Sequence, residues 1–263
     1  MPAKESVIAA ASLCVAAALP GCSAAPSAAD PPVPTTVHST AHPAAHPAKA
    51  VFAFTVAGDR PVLPGGSQDT HAQTPNARCD SATFAADSAL GTRVARGFAL
   101  AGFPASADLL AHFLTGTGTG VNYRAGSSIA KMALASEAFG ALNAEVQTAI
   151  LRQLKAGRTR VRLSAAQLPA VAFESRSSDL YWGFRGTQGL TVTGRGTREN
   201  GRYAGTLSYV IRDSYGFPIG DTLDGFGPPM RYLQTVCGAP RYAGGAHWFP
   251  DTVTVTVPFS RPA

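Results

Sequence analysis

Lysine is scarce in this chain. Of its 22 basic residues 18 are arginine, among 263 residues rich in Ala, Gly and Pro. No Arg/Lys cluster is dense enough to read as a nucleic-acid patch. Beyond the N-terminal segment, no apolar stretch approaches the roughly 20 residues needed to cross a bilayer. The familiar chemical signatures are also missing. There is no Gly-x-Ser-x-Gly elbow, no His-Glu-x-x-His, no phosphate loop ending in Gly-Lys-Ser/Thr and no paired-cysteine motif. Gly116-Thr117-Gly118-Thr119-Gly120 is glycine-rich but follows a predicted helix rather than a strand, so it reads as a flexible connection and not a nucleotide-binding turn. No internal repeat is visible, and nothing in the sequence calls for a cofactor.

What is present starts at the N-terminus. Lys4 and Glu5 precede an apolar run, Val7 to Leu19, interrupted only by Ser12 and small residues. A short apolar segment behind a charged start, ending in small residues, has the form of a secretory signal. Leu19-Pro20-Gly21-Cys22 resembles the lipobox of bacterial lipoproteins. The resemblance implies a cut before Cys22, diacylation of its thiol, and a protein anchored by lipid at the extracytoplasmic face of the cell membrane. Two acyl chains hold a protein firmly where one gives reversible binding. The other reading is an ordinary signal peptide that happens to contain a cysteine. The arginine bias suits GC-rich bacterial genomes, actinobacteria among them.

Removing residues 1–21 deletes Lys4 and Glu5, which cancel, so the net charge of +6 is retained. A modest positive balance suits a protein beside anionic lipid head groups or wall polymers, or bound to another envelope protein. Of four cysteines, Cys14 leaves with the signal and Cys22 is consumed by lipid. Cys79 and Cys237 remain, far apart and in no metal-binding pattern. In an oxidising compartment they are expected to form a disulfide; a free thiol or metal ligand is the alternative.

Residues 22–50 read as a tether, with six prolines between Pro26 and Pro47 favouring extended chain. His38, His42 and His46 recur every four residues there, but Pro43 and Pro47 break the helix that would align them on a metal. Residues 51–263 are expected to form one globular α+β domain, N-terminal helices packed on a C-terminal antiparallel sheet. A first strand is predicted at Val51–Val56, then a long loop from Gly58 to Arg78. Helices are predicted through Leu90 behind a Ser81 cap with Gly91 as the stop, from Ala107 to Leu114 capped by Ser106, and from Ser127 or Ser128 onward through Phe139. The clearest is Ala144–Ala156, capped by Asn143 and stopped by Gly157. From Arg160 the period switches to two, predicting strands at 161–163, 180–184, 190–194, 204–212 and 253–259. Asn200-Gly201 marks a tight hairpin.

The densest polar cluster is Arg212 to Asp224. Asp213 ends a strand and Asp221 and Asp224 follow on a loop, where carboxylates can hold a metal or serve as an acid/base pair. Asp213-Ser214-Tyr215 resembles the Asp-x-Tyr-Asp core of colicin M-type toxins, which cleave the peptidoglycan precursor lipid II. The resemblance covers about five residues; Gly216 stands where the second aspartate is needed, and no His-Arg pair follows. Turn-capping aspartates are the competing reading. Ala246-His247-Trp248-Phe249-Pro250-Asp251 could stack on a sugar or bind a small ligand, or close the end of a sheet. His112 reads as a core-edge histidine, and Tyr181 and Trp182 as opposite faces of a strand. Two functions stay open: an envelope-binding or structural module, and a wall-directed hydrolase using Asp213, Asp221, Asp224 and His247.

Overall fold

The computed structural model describes residues 51–61, 77–185, 188–217, 225–238 and 245–263. The signal, lipobox and tether readings therefore lie outside the described residues, as do Asp221 and Asp224. Strand β1 (Phe52–Arg60) opens the fold, running four residues past the predicted Val56 into the expected loop. Helices α1 (Ser81–Leu100) and α2 (Pro104–Leu114), strand β2 (Val121–Tyr123), helices α3 (Ser128–Ala135) and α4 (Glu137–Lys155) and strand β3 (Arg160–Leu163) follow. After a short 3-10 turn come α5 (Asp179–Gly183), β4 (Gly189–Glu199), β5 (Arg202–Tyr215), α6 (Gly227–Tyr232), a π-type turn to Cys237 and β6 (Phe249–Pro262).

The fold is α+β, with a six-stranded sheet in the order β2-β6-β5-β4-β1-β3. It is mixed rather than antiparallel: β1 pairs parallel with β3 and β2 parallel with β6, while the remaining pairs are antiparallel. The physical reason lies in the connections. A two-residue turn joins antiparallel neighbours, whereas strands separated by helices can be brought alongside in parallel. Helices α1 to α4 separate β1 from β3. The β4–β5 hairpin turns on Asn200 and Gly201, both at positive φ (48° and 72°), the geometry of a twisted two-residue turn.

Four local expectations are corrected by packing. Helix α1 does not stop at Gly91, because that glycine is the point where α1 meets its neighbours. A Cβ there would sit 3.0 Å from the Leu114 methyls and 3.0 Å from Met230 Sδ. The cap of α1 is Asp80 rather than Ser81: its Oδ2 accepts from the Thr83 amide at 2.7 Å. Ser106 lies inside α2, which starts at Pro104. Asn143 is interior to α4, which is capped instead by Ser136 through the Phe139 amide at 3.2 Å; Gly157 ends it at φ 80°. Residues 180–184 are helical: Ser178 caps α5, and Gly183 lets α5 approach Leu109 of α2. Tyr181 and Trp182 are therefore helix neighbours packed edge-on, 4.9 Å between centroids.

The core fills the space between the helices and one face of the sheet. Alternate residues of the strands point into it, among them Phe54, Val56, Leu190, Val192, Leu207, Tyr209, Val255 and Phe259. Val146, Ile150 and Leu154 of α4 cover them, and Tyr203 donates its hydroxyl to the Leu154 carbonyl at 3.1 Å. Tyr209, wholly buried, donates to Asn143 Oδ1 at 2.8 Å. Cys79 and Cys237 are bonded, joining the residue before the α1 cap to the end of the π-type turn with α-carbons 4.9 Å apart. Residues Lys49–Ala263 form one compact unit. No helix among the described residues is long and apolar enough to cross a membrane.

Candidate functional site

The inward alternation of β6 runs Phe249, Asp251, Val253, Val255, Val257 and Phe259. One member of that apolar series is a carboxylate. On β5 the inward series is Leu207, Tyr209, Ile211, Asp213 and Tyr215. Strand register sets Asp213 directly opposite Asp251, so both project to the core side from adjacent strands. Directly opposed residues have Cβ atoms only about 5 Å apart, and like charges there repel.

The two aspartates have different surroundings. Asp213 is half-buried, and its Oδ1 accepts from the Ser214 amide at 2.9 Å. Asp251 is 0 % exposed, and neither carboxylate oxygen has a hydrogen-bond partner among the described residues. Burial first and Asp213 second hold its carboxyl well above the usual carboxylate range. The environments thus separate the pair into a sealed proton-retaining group and a half-buried neighbour, the pattern by which one carboxyl keeps a proton beside another.

Tyr123, paired with Val253 on the far side of β6, lies at the edge of this region. Its phenol is raised by burial and then by Asp108, Asp251 and Asp179, all of which oppose a phenolate. Asp179 holds a helix start in place. Its carboxylate accepts from the Ala105 amide at 2.8 Å and the Ser106 amide at 2.7 Å, and from the Ser106 hydroxyl. A buried carboxylate from α5 thereby supplies the cap α2 lacks in its own sequence.

The glycine run 116–120 is not a free connection. It is laid along residues 245–250, and a Cβ at Gly116 would collide with the Gly245 carbonyl and come within 3.5 Å of His247 Cδ2. Gly116 also sits at φ 67°, a conformation other residues resist. His112 fits its core-edge reading: Nε2 bonds to the Thr119 carbonyl at 2.7 Å, and its ring stands edge-on to Phe249, 4.5 Å between centroids. His247 is half-buried beside the glycine run. Among the described residues, no group of three or more His, Cys, Asp or Glu side chains could hold a metal.

The sequence points to Asp213 and His247, but it places Asp251 only at the end of the His247–Asp251 stretch and gives no sign of its burial or of the role of Asp179. The signal for Asp251 is its place in the alternation Phe249, Asp251, Val253, which puts a carboxylate on the apolar side. No known family model, curated protein or solved structure matches the chain.

Proposed function

We propose that the chain is an exported lipoprotein, held by lipid on Cys22 at the outer face of the cell membrane, whose domain binds a component of the envelope. The observation that carries this reading is the Cys79–Cys237 bond. Disulfides persist in oxidising compartments, and this one accounts for both cysteines of the domain. Cys22, three residues past the end of the apolar run, is then the one mature thiol left for a lipid. Binding is favoured over catalysis because Asp251 is sealed from solvent, so a substrate can reach at most one member of the carboxylate pair.

The test is cell fractionation of the full chain. Cys22→Ser is expected to leave the protein unprocessed or released into the medium; normal cleavage with unchanged membrane retention overturns the reading. A second reading, a wall-directed hydrolase, is favoured by the opposition of Asp213 and Asp251. It requires that Asp213→Ala abolish degradation of lipid II or peptidoglycan while the fold is preserved, and it falls if the unsubstituted protein degrades neither.

A further inference from the structure

Among the described residues, the helices cover one face of the sheet and leave the other open. On that open face the strand register assembles a pattern from residues far apart in the chain. Arg160 of β3 lies beside Thr55 of β1, and Thr55 beside Arg195 of β4. One row along, Arg162 neighbours Ala57, and the row continues through Thr193, Ser208 and Thr256. Thr55, Arg160, Arg162, Thr193, Arg195 and Thr256 are all exposed. The face is thus a field of hydroxyls with arginines at one side.

Its charge is unbalanced. The strands present Arg160, Arg162, Arg195, Arg202 and Arg212 on this face, against two carboxylates, Asp59 and Glu199. Asp59 is engaged: Arg212 donates to it at 2.8 Å and the Thr191 hydroxyl at 2.6 Å. Glu199 stands at the hairpin tip opposite Arg202. No carboxylate neighbours Arg160, Arg162 or Arg195 in the sheet register.

We propose that this open face binds a phosphate-bearing polymer of the cell wall across Arg160, Arg162 and Arg195. The proposal rests on the envelope reading above and adds the surface and the ligand chemistry. Guanidinium groups match phosphate oxygens in a two-pronged geometry that ammonium groups lack. Arg160 and Arg195 stand two strands apart, about 10 Å between backbones, so one ligand must be extended to meet both. Threonine and serine hydroxyls beside them can donate to, or accept from, a polyol or sugar backbone. A bilayer is a poorer occupant, because the exposed large apolar residues Val51, Leu100 and Leu134 all lie outside the strands.

The experiment uses residues 22–263 carrying Cys22→Ser, titrated against purified cell walls. A parallel sample of walls is stripped of phosphodiester-linked polymer with cold hydrofluoric acid. Arg160→Gln/Arg195→Gln is compared with Arg93→Gln/Arg96→Gln, which removes the same charge from exposed positions on helix α1, outside the open face. The expected result is binding at least about tenfold weaker for the first pair, as follows from losing two charge-assisted contacts. The second pair is expected to stay close to the parent, and stripped walls to retain little protein. Equal losses in the two pairs, undiminished retention on stripped walls, or equally tight binding to phosphatidylglycerol vesicles overturns the face proposal while leaving the envelope reading intact. Retention of no form on intact walls sinks the binding reading itself. Matching thermal melts confirm that each variant is folded.

Discussion

Breaking the Cys79–Cys237 bond should lower the stability of this domain severely, and the size of the loss follows from where the bond lies. The cysteines are 158 residues apart, so the bridge closes most of the domain into one loop. Closing a loop of that length removes about 17 cal/mol/K of entropy from the unfolded chain, or about 5 kcal/mol at 25 °C. Small domains are commonly stable by only about 5–15 kcal/mol, so this is a large share of the whole. The native state has other means of holding the same junction. The Asp80 amide donates to the Tyr232 hydroxyl at 2.8 Å, and that hydroxyl lies 3.5 Å from the Arg78 carbonyl. The folded structure should therefore survive in Cys79→Ala/Cys237→Ala, with the loss residing in the unfolded ensemble. In equilibrium urea unfolding, with a slope of about 2 kcal/mol/M, the midpoint should fall by about 2.5 M. Amide exchange in the first turn of α1 should keep its rank within the variant. A stability loss below about 1 kcal/mol would refute the loop argument, since the entropic term predicts several times that. Selective loss of protection in α1 would refute its assignment to the unfolded state.

Two further perturbations test the carboxylates. Because Asp251 has its pKa raised in the fold, its contribution to stability is fully present below the unfolded carboxylate pKa of about 4 and is lost as pH rises through the folded value. Asp251→Asn should accordingly gain on the parent as pH rises from 4 to 8, and thermal melts across that range should show the two curves diverging; parallel curves would contradict the sealed-carboxyl assignment. Asp179→Ala leaves the Ala105 and Ser106 amides without their acceptor at the buried start of α2, and should cost about 2–4 kcal/mol in urea unfolding.

Much of the fold is legible in the residues. Helices preceding strands indicate the α+β class, the alternation of Leu207, Tyr209 and Ile211 locates β5, and Asn200-Gly201 marks the hairpin. Gly157 ends α4 where its sequence position says it should. These signals act within a few residues, through backbone sterics and periodic burial, so they survive whatever the rest of the chain does.

Other features are set by partners that no local rule can see. Gly91 reads as a helix stop until Leu114 and Met230 are found packed on it. The run at residues 180–184 is short and apolar, a pattern that periodicity leaves open between strand and helix; contact with α2 decides for helix. Asp179 caps α2 across more than 70 residues of sequence. The same holds for the two regions on which the proposals rest. Asp213 faces Asp251, and Arg160 lies one strand from Thr55 and two from Arg195, only because of sheet register. Composition and local pattern determined most of the elements, the cysteine pair and the net charge. Tertiary structure alone decided which carboxylate lost its water and which arginines came to share a face, because burial and strand pairing are properties of the assembled chain.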